Sequence, residues 1–179
     1  MKHIVTTAEI RDLGRPISSK IDEDKLLSYI YETERLNVKP TLGDKLFAKV
    51  LEYLNNEQSD KDGNLEILLN GGEYTDKRDD FHMLSGLKMA ISYFVYAQYV
   101  MDGDFQLTRA GVVIKDNSYS SHISSKERSD CYNNALTAAN GFLNEVKDFI
   151  RDKFPQYYRQ RNKPGLIPTN SIVIRKIGE

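Results

Sequence analysis

The chain has a single cysteine, Cys131, in 179 residues. An intramolecular disulfide framework is therefore excluded. It has three histidines, His3, His82 and His122, set far apart and without the spacing of a metal site such as HExxH or paired Cys and His. It lacks a glycine-rich phosphate loop and a dinucleotide fingerprint, since Gly71-Gly72 and Gly111 stand where turns need them. Neither sign of charge is in excess, with 25 basic and 26 acidic side chains and a formal net charge of -1. No global field selects nucleic acid or an anionic membrane as a partner. Long apolar runs are absent as well. The most apolar stretch, Met89 to Met101, contains Ser92, three tyrosines and Gln98, and falls short of the roughly 20 residues of a membrane span. The start, MKHIVTTAEI, lacks the apolar core of a signal peptide, which points to an intracellular or virion-type location. No internal repeat or low-complexity tract interrupts a chain of one-domain length.

The apolar residues present follow helical spacing. From 79 to 101, Leu84, Leu87, Ile91, Phe94, Val95, Gln98 and Met101 line one face and Ala90, Tyr93 and Ala97 an adjoining one, which predicts a central helix covered on several sides. Its cover comes from either side in the chain. Thr6 and Glu9 have capping-box spacing for a short helix that Gly14 ends, and Asp22 N-caps a helix over 23–36 with a stripe of Leu26, Leu27, Ile30 and Tyr31. Val38-Lys39-Pro40 is expected to break that helix, with Thr41 and Asp44 capping the next, whose stripe is Leu42, Leu46, Phe47, Val50, Leu51 and Leu54. Residues 55–64 read as loop, 65–69 as a helical turn, and 73–78 as loop. Ser124 and Glu127 open the longest helix, where Tyr132, Ala135, Ala139, Phe142, Val146 and Phe149 alternate steps of three and four.

Two segments do not fit the bundle. Phe105 to Lys115 is β-rich, with Leu107, Val112, Val113 and Ile114 outside helical periodicity and Gly111 where a hairpin could reverse. Beyond Pro155 the chain carries Pro164 and Pro168, then the β-prone SIVIRKI with Ile172, Val173 and Ile174. From Arg151 onward seven basic residues face two acids, a local +5. Tyr157 and Tyr158 stand beside Arg159 and Arg161, a combination used both at protein interfaces and on single-stranded nucleic acid, the near-neutral chain favouring the interface. The fold expected is mainly α, a bundle of about four helices. An extended β-arm or hairpin lies near 103–118, so that 1–154 form the body and 155–179 an extended basic tail.

No catalytic constellation emerges. Asp79-Asp80 and Asp22 to Asp24 sit at predicted helix starts, where the helix dipole favours negative charge, and Cys131 has no local signature of a nucleophile. The runs IYETERLNVKPTLGDKLFAKVLEYL, LLNGGEY and GLKMAISYFVYAQYVMDGDFQLTRAGVVIK, followed by the long last helix, resemble the head-to-tail connector (adaptor, or head-completion) proteins of tailed phages, in particular those of Bacteroidetes phages including the crAss-like group. The similarity spans roughly Ile30 to Ile150, with a weaker match in the tail ending IVIRKI. What the resemblance implies is a virion protein at the head-to-tail junction, made in the host cytoplasm. Its copies would form a ring, usually of twelve, beneath the portal protein, with further tail or ring proteins below. Packaged DNA would pass through without sequence-specific binding. The resemblance brings no catalytic residue, cofactor or membrane. From their own chemistry and their place outside the bundle, Phe105, Leu107, Val112, Val113, Ile114, Tyr157, Tyr158, Arg159, Arg161, Ile172, Val173 and Ile174 are the expected assembly surfaces. The alternative from another class is a cytoplasmic helical module that binds protein or nucleic acid through its basic tail.

Overall fold

A computed structural model describes residues 2–18, 20–55, 63–102, 105–109, 111–114 and 124–158, the segments 105–108 and 111–114 by backbone alone. It is mainly helical. Helix α1 (Thr7–Leu13) starts at the expected capping box: Thr6 Oγ1 accepts the Glu9 N–H, and the Glu9 carboxylate accepts the Thr6 N–H at 2.8 Å. Gly14 lets the end of α1 lie against α5 (Leu87–Asp102), where a Cβ would stand 3.1 Å from Ser92 Cβ. Helix α2 (Glu23–Thr33) begins where Asp22 accepts the Asp24 N–H at 3.0 Å. It buries Leu26, Tyr29, Ile30 and Thr33, so its inner face is rotated from the expected stripe and leaves Leu27 and Tyr31 exposed.

The expected break at 38–40 does not occur there. The helix runs on through a π-helical turn, Glu34–Val38, in which the Lys39 N–H reaches back five residues to the Glu34 carbonyl. Pro40 has no N–H to give and its ring crowds the carbonyl four residues before it, so a widened turn just ahead accommodates it without ending the helix. Chain direction changes instead inside α3 (Lys39–Asn55), at Gly43, where φ 74 and ψ 159 lie in a region open to glycine. Leu42, Leu46, Phe47 and Val50 are buried as their spacing requires. The side chain of Glu34 is buried too. Its carboxylate accepts the Ile4 N–H at 2.5 Å and lies 3.1 Å from His3 Nδ1, clasping an N-terminal segment whose Ile4 and Val5 are fully buried.

Helix α4 (Asn64–Asn70) buries Leu65, Leu68 and Leu69 and ends at Gly71. The next stretch departs from expectation. Residues 72–75 and 81–84, read as loop and as the first turn of the central helix, form an antiparallel hairpin of β1 (Gly72–Thr75) and β2 (Phe81–Leu84). The reason lies in the turn. Asp79 takes φ 69, the Asp76 N–H bonds the Asp80 carbonyl, and Asp76 Oδ1 accepts the N–H groups of Arg78 and Asp80 at 2.8 and 3.0 Å. This is a three-residue hairpin loop with its left-handed residue last, stabilised by an Asx contact. Gly86, at φ 91, then separates strand from helix.

Helix α5 buries Leu87, Ala90, Ile91, Ser92, Phe94, Val95 and Ala97 and is contacted by α1, α2, α4 and α6 (Ser125–Lys153). It is the axis of the bundle. The α5–α6 pair is the most extensive of these contacts, with small Ala135 and Ala139 permitting close approach, followed by Leu143, Val146, Phe149 and Ile150. Ser124 and Glu127 cap α6 reciprocally, as expected. Among the described residues no helix is long and apolar enough to cross a membrane.

Candidate assembly surfaces

Two hairpins stand on the helical body. The expected arm is the second of them, β3 (Phe105–Thr108) paired antiparallel with β4 (Gly111–Ile114). In its register Phe105 lies opposite Ile114, Leu107 opposite Val112 and Gln106 opposite Val113. Its chain reverses between Thr108 and Gly111.

The two tyrosines of the expected tail belong to the body. Phe154 is buried against Phe149, and the turn after it, closed by the Tyr157 N–H to the Phe154 carbonyl, brings Tyr157 and Tyr158 half-buried onto the core. Tyr158 stacks under the Arg151 guanidinium at 5.3 Å, a cation–π contact, and its hydroxyl helps to raise the arginine's pKa further. Arg159, Arg161, Ile172, Val173 and Ile174 lie outside the described residues.

The β1–β2 hairpin was missed in the sequence reading, and it carries exposed apolar surface. Its inner face packs on α6 through Tyr74, which meets Phe149 edge-on with ring centres 4.8 Å apart and stacks on His82 at 5.1 Å. Its outer face presents Phe81, 63% exposed, and Met83, 72% exposed. Edges differ as well. Because Asp76 and Asp80 bond each other, the alternation of an antiparallel ladder makes Tyr74–His82 the next bonded pair and turns the backbone groups of Thr75 on one strand, and of Phe81 and Met83 on the other, outward. Lys153 Nζ, from the end of α6, donates to the Thr75 carbonyl at 2.6 Å and so covers the β1 edge. Among the described residues no hydrogen bond reaches the outward backbone groups of Phe81 and Met83. The signal available in the sequence was EYT and FHML flanking DKRDD, β-prone runs about an acid-rich turn.

The electrostatics around this hairpin are negative. Burial raises the Tyr74 hydroxyl above its ordinary value, and the carboxylates of Asp152, Asp148, Asp76 and Glu145 raise it further. Asp76 is held below the usual carboxylate range by the Asp80 N–H first, then by the Arg78 N–H and by His82, 3.3 Å away. Asp76 is thus an anion at neutral pH.

The described histidines have acidic neighbours. His3 faces Glu34 and His82 faces Asp76, while Cys131 is exposed on α6. Among the described residues no group of three or more His, Cys, Asp or Glu is arranged to hold a metal ion. A shallow, open depression on α6 is lined by Asp130, Asn133, Asn134, Thr137 and Ala138. The neighbouring Asn134 accepts from Arg15, whose guanidinium lies over Tyr93 and Tyr96 at 5.8 and 5.4 Å, so the surface there is built from tertiary contacts.

No curated protein and no solved structure matches the chain. Residues 38–164 match the model of DUF6712, a family of unknown function. That match runs from the end of the π turn through the bundle to beyond α6 and covers more than half of the chain, and the protein belongs to DUF6712.

Proposed function

We propose that the protein is a structural subunit of the ring that joins the portal of a tailed phage to its tail, and not an enzyme. The observation that carries this reading is a helical body bearing two antiparallel hairpins, one with an open strand edge beside exposed Phe81 and Met83. Such surfaces are built to be covered by another chain. The resemblance of Ile30 to Ile150 to phage connectors supplies the identity of that assembly. Its partners are then copies of itself, the portal protein and further tail or ring proteins, at the head-to-tail junction of the virion and in the host cytoplasm during assembly. DNA slides past without sequence-specific binding and no cofactor takes part.

The test is particle mass. Mixed with portal rings of its own phage, the protein should form a closed cyclic ring on them, seen by mass photometry and electron microscopy. A strictly monomeric protein that ignores portal rings would defeat the reading. Tight, salt-sensitive duplex binding abolished by Arg159→Ala and Arg161→Ala would instead favour a nucleic-acid module acting through the basic tail.

A further inference from the structure

We infer that the outward edge of β2 is the docking site for residues Ser171–Ile177 of a second copy of this chain, which adds to the hairpin as a third strand. Three observations meet here. First, among the described residues the edge is open: the backbone groups of Phe81 and Met83 point away from β1, and their side chains lie exposed on the outer face. A strand laid along it gains main-chain hydrogen bonds and apolar cover together. Second, the charges are complementary. The hairpin carries Glu73, Asp76, Asp79 and Asp80 against Lys77 and Arg78, whereas SIVIRKI joins a run of β-branched residues to Arg175 and Lys176. Third, the end of α6 is bonded to the β1 edge and the turn, away from the outward edge of β2. Lys153 is bonded to the β1 edge at Thr75 and Asp152 accepts the Lys77 N–H at 3.2 Å, so donor and acceptor occupy different places on the surface. A contact between unlike patches of identical chains is heterologous, the kind that builds a ring when its rotation closes.

Residues 159–170 lie between the body and this segment, and twelve residues reach at most about 40 Å, enough to span to a neighbour. The inference deepens the ring-subunit reading and rests on it for the source of the second copy.

The experiment compares the full chain with a truncation after Asn170, with Ile174→Glu, and with Phe81→Glu/Met83→Glu, by mass photometry and circular dichroism. The full chain should associate with rising concentration, and all three changes should leave monomers with unchanged helical signal. Ile174→Glu keeps the test valid if the hairpin variant misfolds. A peptide of residues 168–179 should bind the truncated protein and slow amide exchange at Phe81 and Met83, and Phe81→Glu/Met83→Glu should weaken it by about tenfold or more. Association that survives truncation, or peptide binding indifferent to the edge substitutions, would overturn the inference. So would a monomeric full chain whose Phe81 and Met83 amides lose protection on truncation, since its own segment would then fill the edge. Failure of the two readings is distinguishable. Portal binding that persists after truncation removes the docking alone, and tail-dependent association without portal binding removes the connector assignment alone.

Discussion

Glu9 shows how one carboxylate joins a local signal to a distant one. It closes the capping box on Thr6 and also takes a 2.6 Å ion pair from Lys88, tying α1 to the first turn of α5. Burial alone would raise its pKa from the ordinary 4.5. The hydrogen bond from Lys88, those from the Thr6 N–H and hydroxyl, and the lysine's charge together outweigh that and lower it. A depressed folded-state value means that the fold favours the charged form, so this stabilisation is complete above about pH 4.5 and is lost as pH falls through the folded-state value. Glu9→Gln should therefore cost about 1 kcal/mol in urea denaturation at pH 7 and little at pH 3. An equal cost at both would show that geometry and not charge matters. Thr6 and Glu9 were legible as a pair because capping is local. Lys88, 79 residues away, was not, because an ion pair across a bundle leaves no mark in local spacing.

At the scale of elements, two glycines fix where strand gives way to helix. Gly71 and Gly86 meet back to back: a Cβ on Gly86 would lie 2.5 Å from Gly71 N, and one on Gly71 would lie 2.5 Å from the Leu84 carbonyl. Both have positive φ, so a side chain there is strained in conformation and has no room. Glu145 of α6 secures the same crossing by accepting the Ser85 N–H at 3.1 Å. Gly86→Ala should cost about 3 kcal/mol or more, enough to lower the melting temperature by ten degrees or so. Gly141, in the interior of α6 with open space around its Cα, is the control. There Gly141→Ala should raise stability by about 0.5–1 kcal/mol. Equal effects at the two sites would refute the packing argument. This crossing also explains why the central helix was expected to start eight residues too early, at 79 and not at Leu87. Leu84, Leu87 and Ile91 keep helical spacing across the boundary, and the pattern of apolar residues does not register that Gly86 cannot be helical. The helices α1, α2 and α6 were legible from their caps, whereas the break moved to Gly43 because a π turn can absorb a proline.

For the molecule as a whole, the bundle and the β3–β4 arm are separable. Strands β3 and β4 pair with each other and neither forms an extensive contact with a helix, whereas the β1–β2 hairpin is stitched to α6. Deleting Leu107 to Ile114 should spare the helical circular dichroism and the melting transition. A loss of helix content would place the arm inside the fold. The mainly helical architecture and this arm were readable because each rests on runs of local pattern, while the open edge of β2 became visible when the chain was folded. The clasp at Glu34 has a further consequence, for synthesis. Ile4, Val5 and Ile10 lie in one core with residues of α5 and α6, which come after them in the chain. These apolar side chains are therefore translated well before the helices that complete their cover, and they wait in water until those helices follow.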